Sequence, residues 1–224
     1  MTFVRQVLTV ASKDLVLELR SRERLVSMLT FALLIAVVFS FALDPTVRSR
    51  DIAGAMIWIT IFFAGMLGLG RSFGLEREQD TLTGVLLAPI DRGAFYLGKV
   101  TANLVLLLIV DIVLVPVYGL FFQIDLWGQI GGLAVVVGLA SAGFVALGTL
   151  FSAMAAHSRL GESLLPILLL PLLIPVVFFS ARSTQLLITG RPISDVAGSI
   201  RVLLAFDLIF LIVCTMVFES VVEE

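Results

Sequence analysis

Hydrophobic residues occur along this chain in six long blocks that short polar segments separate. The blocks lie at residues 25–43, 52–70, 96–121, 127–153, 163–180 and 201–218. Each is near or above the roughly 20 residues that a helix needs to cross a bilayer, apart from the fifth, which is slightly short. The pattern predicts six membrane-spanning helices joined mostly by short connections.

The first 24 residues show a different pattern, in which apolar and charged residues recur with a helical period. One face of a helix over residues 3–20 is formed by Phe3, Val4, Val7, Leu8, Ala11 and Leu15. Basic residues lie roughly opposite, so the pattern predicts an amphipathic helix at the membrane surface. Asp14 and Glu18 fall on the edge and in the middle of the apolar face. We expect both to meet a polar neighbour from the rest of the protein; exposure at a frayed helix end is the alternative.

The stretch 71–99 is the longest part of the sequence that does not fit in hydrocarbon. It has a short apolar centre, spaced for one face of a helix that Gly84 and Pro89 interrupt, with charged residues around it. Such a helix suits docking into a groove on a soluble partner, with the charges setting the register. The predicted docking residues are Glu76, Arg77, Glu78, Asp80, Leu82, Leu86, Leu87 and Arg92. A solvated connector between two spans is the alternative interpretation.

The fifth block contains three prolines, Pro166, Pro171 and Pro175. Each removes a helical hydrogen bond, so the sequence predicts a kinked or broken span that acts as a hinge. Residues 181–200 are long for a loop and partly apolar, and we expect an outer segment that is re-entrant or interfacial. The close approach of another helix to the fourth block is predicted by a stripe of small residues, Ala134, Gly138, Ala142 and Ala146.

Two carboxylates, Asp111 and Asp207, lie inside the third and sixth blocks. Counted from the expected outer ends of these blocks, they lie about 15 and 9 Å deep, in the outer half of the membrane, where they are candidate neighbours. An ionisable residue inside a membrane is a functional-site hypothesis by default. No Lys or Arg shares their depth, so neutral groups that bond a neighbouring helix are the alternative.

Composition fixes the class of protein. With 59% hydrophobic and 14% charged residues and a mean hydropathy of +1.12, the chain has more apolar surface than one soluble core can hide. We predict an all-α integral membrane protein with one transmembrane domain over residues 1–224. Its distinct parts are an interfacial helix at 1–24, a coupling segment at 71–95 and an outer segment at 181–200. The net charge of -2 gives no reason to expect nucleic acid as a partner.

The placement of basic residues predicts the orientation in the membrane. Of the 15 Lys and Arg residues, ten lie on the side that carries both termini and the 71–99 stretch, and five lie on the other side. An excess of Lys and Arg marks the cytoplasmic side. We therefore expect both termini and the 71–99 stretch to be cytoplasmic.

The chain offers little for catalysis or for metal binding. Its only histidine, His157, excludes a multi-histidine metal site and argues against a histidine-based catalytic triad. The phosphate-binding pattern G-x-x-x-x-G-K-[ST] does not occur, so any nucleotide hydrolysis must come from another chain. We expect a non-catalytic membrane subunit without a metal site.

Several segments resemble known families. EREQDTLTGVLLAPIDRGAFYLGK at 76–99 resembles the coupling segment of ABC-2-type exporter permeases, whose pattern runs acidic, Thr-Leu, Leu-Leu, Pro, Arg, Gly-Lys, although Asp80 replaces that family's usual glycine. More specifically, KDLVLELRSRERL at 13–25, FSFAL at 39–43 and GESLLPILLLPLLIPV at 161–176 resemble the cytochrome c maturation protein B family, also called haem exporter protein B.

This resemblance, which covers nearly the whole chain, implies an ABC-2-type permease fold in the bacterial inner membrane. It implies assembly with a cytoplasmic ABC ATPase, small haem-handling membrane subunits and a periplasmic haem chaperone. ATP hydrolysis in the partner then drives haem export or release of the haem-loaded chaperone. A homodimer, or pairing with a second permease, is compatible with this assembly.

The outer connections were searched for residues that could bind haem iron. Haem iron usually takes His, Met, Cys or Tyr as axial ligands, and the outer connections contain none of these. We therefore expect no directly bound cofactor. Two other functions stay open: an ABC-2 permease for a lipid, polysaccharide or drug, and a proton-coupled secondary transporter that uses Asp111 and Asp207.

Overall fold

The computed structural model describes residues 2–42, 51–73, 90–157 and 161–223. Within these residues the chain forms seven α-helices and no strand. The helices are α1 (Phe3–Ser21), α2 (Glu23–Ala42), α3 (Ala53–Gly70), α4 (Arg92–Phe121), α5 (Ile130–His157), α6 (Gly161–Ile188) and α7 (Ile193–Glu223). A short 3₁₀ turn, Trp127–Gln129, precedes α5.

Six of these helices, α2 to α7, are long and apolar enough to cross a membrane. The predicted all-α membrane fold with six spans and a preceding amphipathic helix is therefore confirmed. Helix α4 has 30 residues, which is about 45 Å at the rise of an α-helix. The hydrocarbon layer is only about 30 Å thick, so part of α4 extends beyond it.

Helices α3 and α5 form the centre of the bundle. Their apolar stretches are 72% and 61% buried, whereas those of α2 and α7 are only 17% buried. Glycines allow the close packing: a Cβ at Gly65 would overlap the ring of Phe144, and one at Gly68 would overlap the side chain of Met28. Gly138, in contrast, faces open space within the described residues. At Gly138 the predicted small-residue contact is therefore not made among the residues that the structure describes, whereas Ala146 of the same stripe is fully buried.

A sharp corner separates α1 from α2. Arg22 adopts a left-handed conformation with φ of 55°, and its N–H donates to the Glu18 carbonyl at 2.6 Å. The Glu18 side chain accepts a second bond, from the backbone N–H of Leu25, at 2.8 Å. Glu18 thus closes the end of α1 and also binds the first turn of α2.

Helix α1 runs alongside the beginning of α4. Gln6 accepts from the N–H of Asp91 at 3.4 Å, and further along both helices Asp14 reaches Lys99. Between these contacts the backbones come close, because a Cβ at Gly98 would lie 2.6 Å from Cβ of Val10. The contacts advance in the same direction along both helices, so α1 accompanies the first turns of α4 and does not cross them at a right angle.

The structure corrects the prediction for residues 181–200. They form no separate segment, because α6 continues to Ile188 and α7 already begins at Ile193. The connection is a turn in which Gly190 has a positive φ of 82°. Two side chains of α6 hold its extension against α3: Gln185 accepts from the N–H of Gly54, and Thr184 accepts from the indole of Trp58, both at 2.9 Å.

The prolines of the fifth span also differ from the prediction. Helix α6 is continuous from Gly161 to Ile188 although Pro166, Pro171 and Pro175 lie inside it, so the span is not broken. Pro171 and Pro175 are exposed on the outside of the bundle. Whether α6 acts as a hinge stays a prediction.

Candidate functional site: a buried polar cluster around Lys99

The predicted docking residues fall mostly outside the part of the chain that the structure describes. This applies to Glu76, Arg77, Glu78, Asp80, Leu82, Leu86 and Leu87. Arg92 is described and forms the first residue of α4. The preceding Asp91 caps that helix, since its carboxylate accepts from the N–H of Ala94 at 2.9 Å. An acidic cap compensates the unpaired N–H groups and the positive end of the helix dipole, so α4 has a defined start directly after the predicted docking segment.

Lys99 is a fully buried cation near that start. Its side chain is 2% exposed, and its Nζ lies 2.9 Å from a carboxylate oxygen of Asp14, which is itself only 10% exposed. The same ammonium donates to the carbonyl of Ser72 at 3.1 Å and lies 4.9 Å from the ring centroid of Phe73. The Lys99 ammonium group, which belongs to α4, therefore contacts both α1 and Ser72, which follows α3.

Asn103, one turn further along α4, continues the polar contacts. Its amide nitrogen donates to the hydroxyls of Ser72 and Thr149 at 2.8 and 3.0 Å. Its carbonyl oxygen accepts from Nη1 of Arg24 at 3.0 Å. Arg24 in turn lies 3.2 Å from the Glu18 carboxylate, with both side chains nearly buried. The donors and acceptors of Asn103 thus connect α2, α4 and α5 with Ser72.

We call this group the Lys99 cluster. Its members are Asp14, Glu18, Arg24, Ser72, Lys99, Asn103 and Thr149. The cluster pairs two acids with two cations, so it satisfies charges that would be very costly to bury alone. It also fixes the geometry of four helices and of the residue just before the 74–89 segment.

Sequence reasoning does not identify Lys99 and Asn103 as site residues, although their spacing carries a signal for this cluster. Asp14 and Glu18 are spaced by four residues, and so are Lys99 and Asn103. Side chains four apart share one helix face. In the structure Asp14 contacts Lys99 directly, and Glu18 is connected to Asn103 through Arg24.

The intramembrane carboxylates form a second polar feature. Asp111 accepts from the hydroxyl of Ser141 at 2.8 Å and is 2% exposed. Asp207 is 5% exposed and packs against Gly143, and among the described residues neither of its carboxylate oxygens has a hydrogen-bond partner.

The two carboxylates approach α5 from different sides. Ser141 and Gly143 are two residues apart, so they point about 200° apart around the helix. Helix α5 therefore lies between Asp111 and Asp207. The depth of Asp207 also changes, because α7 begins at Ile193 and not near Arg201. Asp207 is thus near the middle of its helix and deeper than the sequence predicts, and α5 separates it from Asp111; whether the two carboxylates act together stays a prediction.

These observations define the class of protein. It is a multi-pass α-helical membrane protein in which an amphipathic helix is fixed to the bundle by buried ion pairs. A family model described as CcmB protein matches residues 5–224, and the chain belongs to this family. The resemblance that the segments at 13–25, 39–43 and 161–176 indicated is confirmed.

Curated relatives match over most of their length. Heme exporter protein B of Rhodobacter capsulatus is 27% identical over 197 residues, which cover 84% of this chain and 88% of the relative. Heme exporter protein B of Bradyrhizobium diazoefficiens is 27% identical over 184 residues, 82% of each chain. Heme exporter protein B of Haemophilus influenzae is 25% identical over 178 residues, with 78% of this chain and 79% of the relative covered.

Proposed function

We propose that this chain is the membrane permease subunit of an ABC transporter complex for cytochrome c biogenesis. A separate cytoplasmic ATPase binds and hydrolyses ATP, and this drives haem export or release of a haem-loaded periplasmic chaperone. The haem part of the proposal rests on the relatives, each of which is named heme exporter protein B. The chain itself is non-catalytic and works in the bacterial inner membrane with haem-handling membrane subunits.

The observation that best supports a coupling role is the position of the Lys99 cluster. Ser72 lies just before the 74–89 segment, and Lys99 lies in the helix that follows it; the two are joined at 3.1 Å. When the residues that flank a docking segment on both sides belong to one polar cluster, a displacement of the segment can be transmitted to all the helices that the cluster joins. Residues 71–95 are therefore the proposed coupling segment.

The orientation follows from the distribution of charge. Ten of the 15 basic residues lie on the side of the termini and of the Lys99 cluster, which favours a cytoplasmic location for that side. The proposed coupling segment then faces the compartment that contains the ATPase.

A mechanical role suits the chain better than haem ligation. The outer connections contain no His, Met, Cys or Tyr, the residues that usually bind haem iron. In the proposed complex, haem is held by the partner subunits, and this chain changes shape when ATP is used. A second copy of the chain, or a second permease, completes the membrane part.

Charge reversal at the coupling segment tests the proposal. In Glu76→Lys/Glu78→Lys, the charges that set the register of docking are inverted. We expect loss of co-purification with the partner ATPase, or loss of the stimulated hydrolysis. The matched control is Asp51→Lys/Asp195→Lys, two exposed acids at the opposite end of the bundle, and it should leave both readouts unchanged. Normal assembly and turnover of the Glu76/Glu78 variant would exclude the docking assignment.

The other functions predict different results. A permease for a lipid, polysaccharide or drug would keep the ATPase but purify without haem-handling subunits. A proton-coupled transporter would keep its activity without nucleotide and lose it when Asp111 or Asp207 is replaced. The position of α5 between these two carboxylates speaks against a direct proton transfer from one to the other. A passive scaffold would tolerate an inactive partner ATPase.

A further inference from the structure

Helix α1 has one covered side and two exposed sides. At about 100° per residue, the residues that face the bundle span about half of the circumference. They are Gln6, Val7, Val10, Ala11, Asp14, Leu15 and Glu18, all buried or half-buried. The rest of the circumference is exposed and is not uniform in chemistry.

The second side of α1 is apolar and the third is basic. Val4, Leu8 and Leu19 fall within about 60°, and their exposed fractions are 65%, 59% and 65%. Next to them, Arg5, Lys13 and Arg20 fall within about 80°, and all three are exposed. An apolar strip therefore adjoins a basic strip along the same helix.

The outward charge of α1 is entirely basic because both of its acids are used inside. Asp14 is paired with Lys99, and Glu18 with Arg24. Among the described residues, Arg5 and Arg20 form no ion pair, while Lys13 also contacts Asp14 at 3.1 Å. The ion pairs of the Lys99 cluster thus leave a positive surface on the outside of α1.

We expect this surface to lie at the membrane boundary, because α1 accompanies the part of α4 that carries the polar residues Arg92, Lys99 and Asn103. Helix α1 follows the first turns of α4, and α4 is about 15 Å longer than the hydrocarbon layer. Apolar side chains of α2 just after the corner are exposed as well, such as Val26, which is 54% exposed. A soluble partner on the basic strip would leave these apolar groups in water, whereas a bilayer covers them.

We propose that the outer surface of α1 binds anionic phospholipids. Arg5 and Arg20 contact the head-group phosphates, and the apolar strip enters the boundary between head groups and acyl chains. Lipid then contacts the exposed sides of α1, while the Lys99 cluster fixes its covered side to the bundle. The partner is chosen by charge, since zwitterionic head groups offer no net attraction to a basic strip.

Lipid selectivity at a single site on α1 tests this proposal. A fluorophore is attached to Ser12→Cys, which lies between the two strips; the natural Cys214 is 1% exposed and will not compete. The labelled full-length chain is reconstituted with brominated phosphatidylglycerol or brominated phosphatidylcholine, and quenching gives the relative affinity of the two lipids. One basic residue near an anionic surface is worth about a fivefold preference. We expect a preference for phosphatidylglycerol of at least this size, and its loss in Arg5→Gln/Arg20→Gln.

Two controls separate the surface from general charge effects. Arg182→Gln/Arg201→Gln removes two exposed cations elsewhere in the protein and should leave the preference at the Ser12 reporter intact. Raising the salt to about 1 M shortens the screening length from about 10 to 3 Å and should abolish it.

Equal quenching by both lipids in the reporter protein would overturn the proposal. The proposal would also fail if the preference persisted without Arg5 and Arg20. If that variant instead lost the partner ATPase while its lipid preference stayed, the basic strip would be a protein-docking surface.

Discussion

Removal of the Lys99 ammonium group should loosen α1 by a predictable amount. In Lys99→Met, the Asp14 carboxylate loses a partner at 2.9 Å and the Ser72 carbonyl loses a donor at 3.1 Å. Breaking a buried ion pair from one side costs about 3–5 kcal/mol, because the other charge stays buried. Lys13 remains 3.1 Å from Asp14 and keeps part of the compensation. We therefore expect a loss near the lower limit, about 3 kcal/mol in the free energy of unfolding.

The chain provides a matched control at almost the same distance. Arg71 and Glu23 lie 2.8 Å apart, but their side chains are 55% and 75% exposed. Water replaces the lost partner of an exposed pair, so Arg71→Met should cost about 0–1 kcal/mol. A double variant, Lys99→Met/Asp14→Leu, removes both buried charges and should recover most of the lost stability, since apolar replacement of a buried pair is often neutral.

The measurement is reversible unfolding of the full chain in mixed micelles, followed by helical circular dichroism as the denaturing detergent increases. The single and double variants form a thermodynamic cycle that isolates the interaction between Lys99 and Asp14. If Lys99→Met reduced the free energy of unfolding no more than Arg71→Met, burial would not explain the predicted contribution of the Lys99–Asp14 pair. If the double variant were as unstable as Lys99→Met, packing and not charge would explain the loss.

Three further predictions concern other parts of the bundle. Gly98→Ala should destabilise the contact of α1 with α4 by about 1–3 kcal/mol, which is measured as faster proteolysis within α1. The control is Gly138→Ala, which should be neutral or stabilising because the added Cβ meets open space. Asp111→Asn and Asp207→Asn should retain chaperone release if the carboxylates act as neutral polar groups, and loss of release would indicate a role in proton movement. Pro171→Ala should assemble with the ATPase but impair release, and full release would show that this proline has a packing role alone.

The number and type of helices could be predicted because the bilayer imposes a simple pattern on the sequence. Long apolar blocks have one stable outcome in hydrocarbon, a helix, since every backbone polar group must be paired. The ends of the helices are set by other contacts, so they were less predictable. The largest error was at residues 181–200, where a separate outer segment is expected from the sequence. In the structure Thr184 and Gln185 belong to α6 and bond α3.

The true end of α6 did carry a local signal. Gly190 has the positive φ that favours glycine at a helix C-terminus, and Pro192 follows two residues later. Glycine followed closely by proline is a standard helix stop. The hydrophobic block ends at residue 180, whereas this signal lies beyond the true end of the helix at Ile188.

The candidate site could be predicted only in part. Asp14 and Glu18 stood out because charges on an apolar face need partners, but the sequence does not say which helix supplies them. Their two partners come from α4 and from the start of α2, and only the close approach at Gly98 brings Lys99 into reach. Contacts between residues far apart in sequence depend on the tertiary packing, which no local pattern contains.

The pairing of Asp14 with Lys99 also has a consequence for the order in which the protein is made. The acid is synthesised 85 residues before the base, which corresponds to roughly 4–17 s at ribosomal rates of about 5–20 residues per second. During that interval Glu18 can already pair with the nearby Arg24, whereas Asp14 has no buried partner. We expect α1 to wait at the membrane surface until α4 leaves the translocon. Asp14 then neutralises Lys99 as that cation arrives, so the first helix synthesised serves as an internal counter-ion for the insertion of a later one.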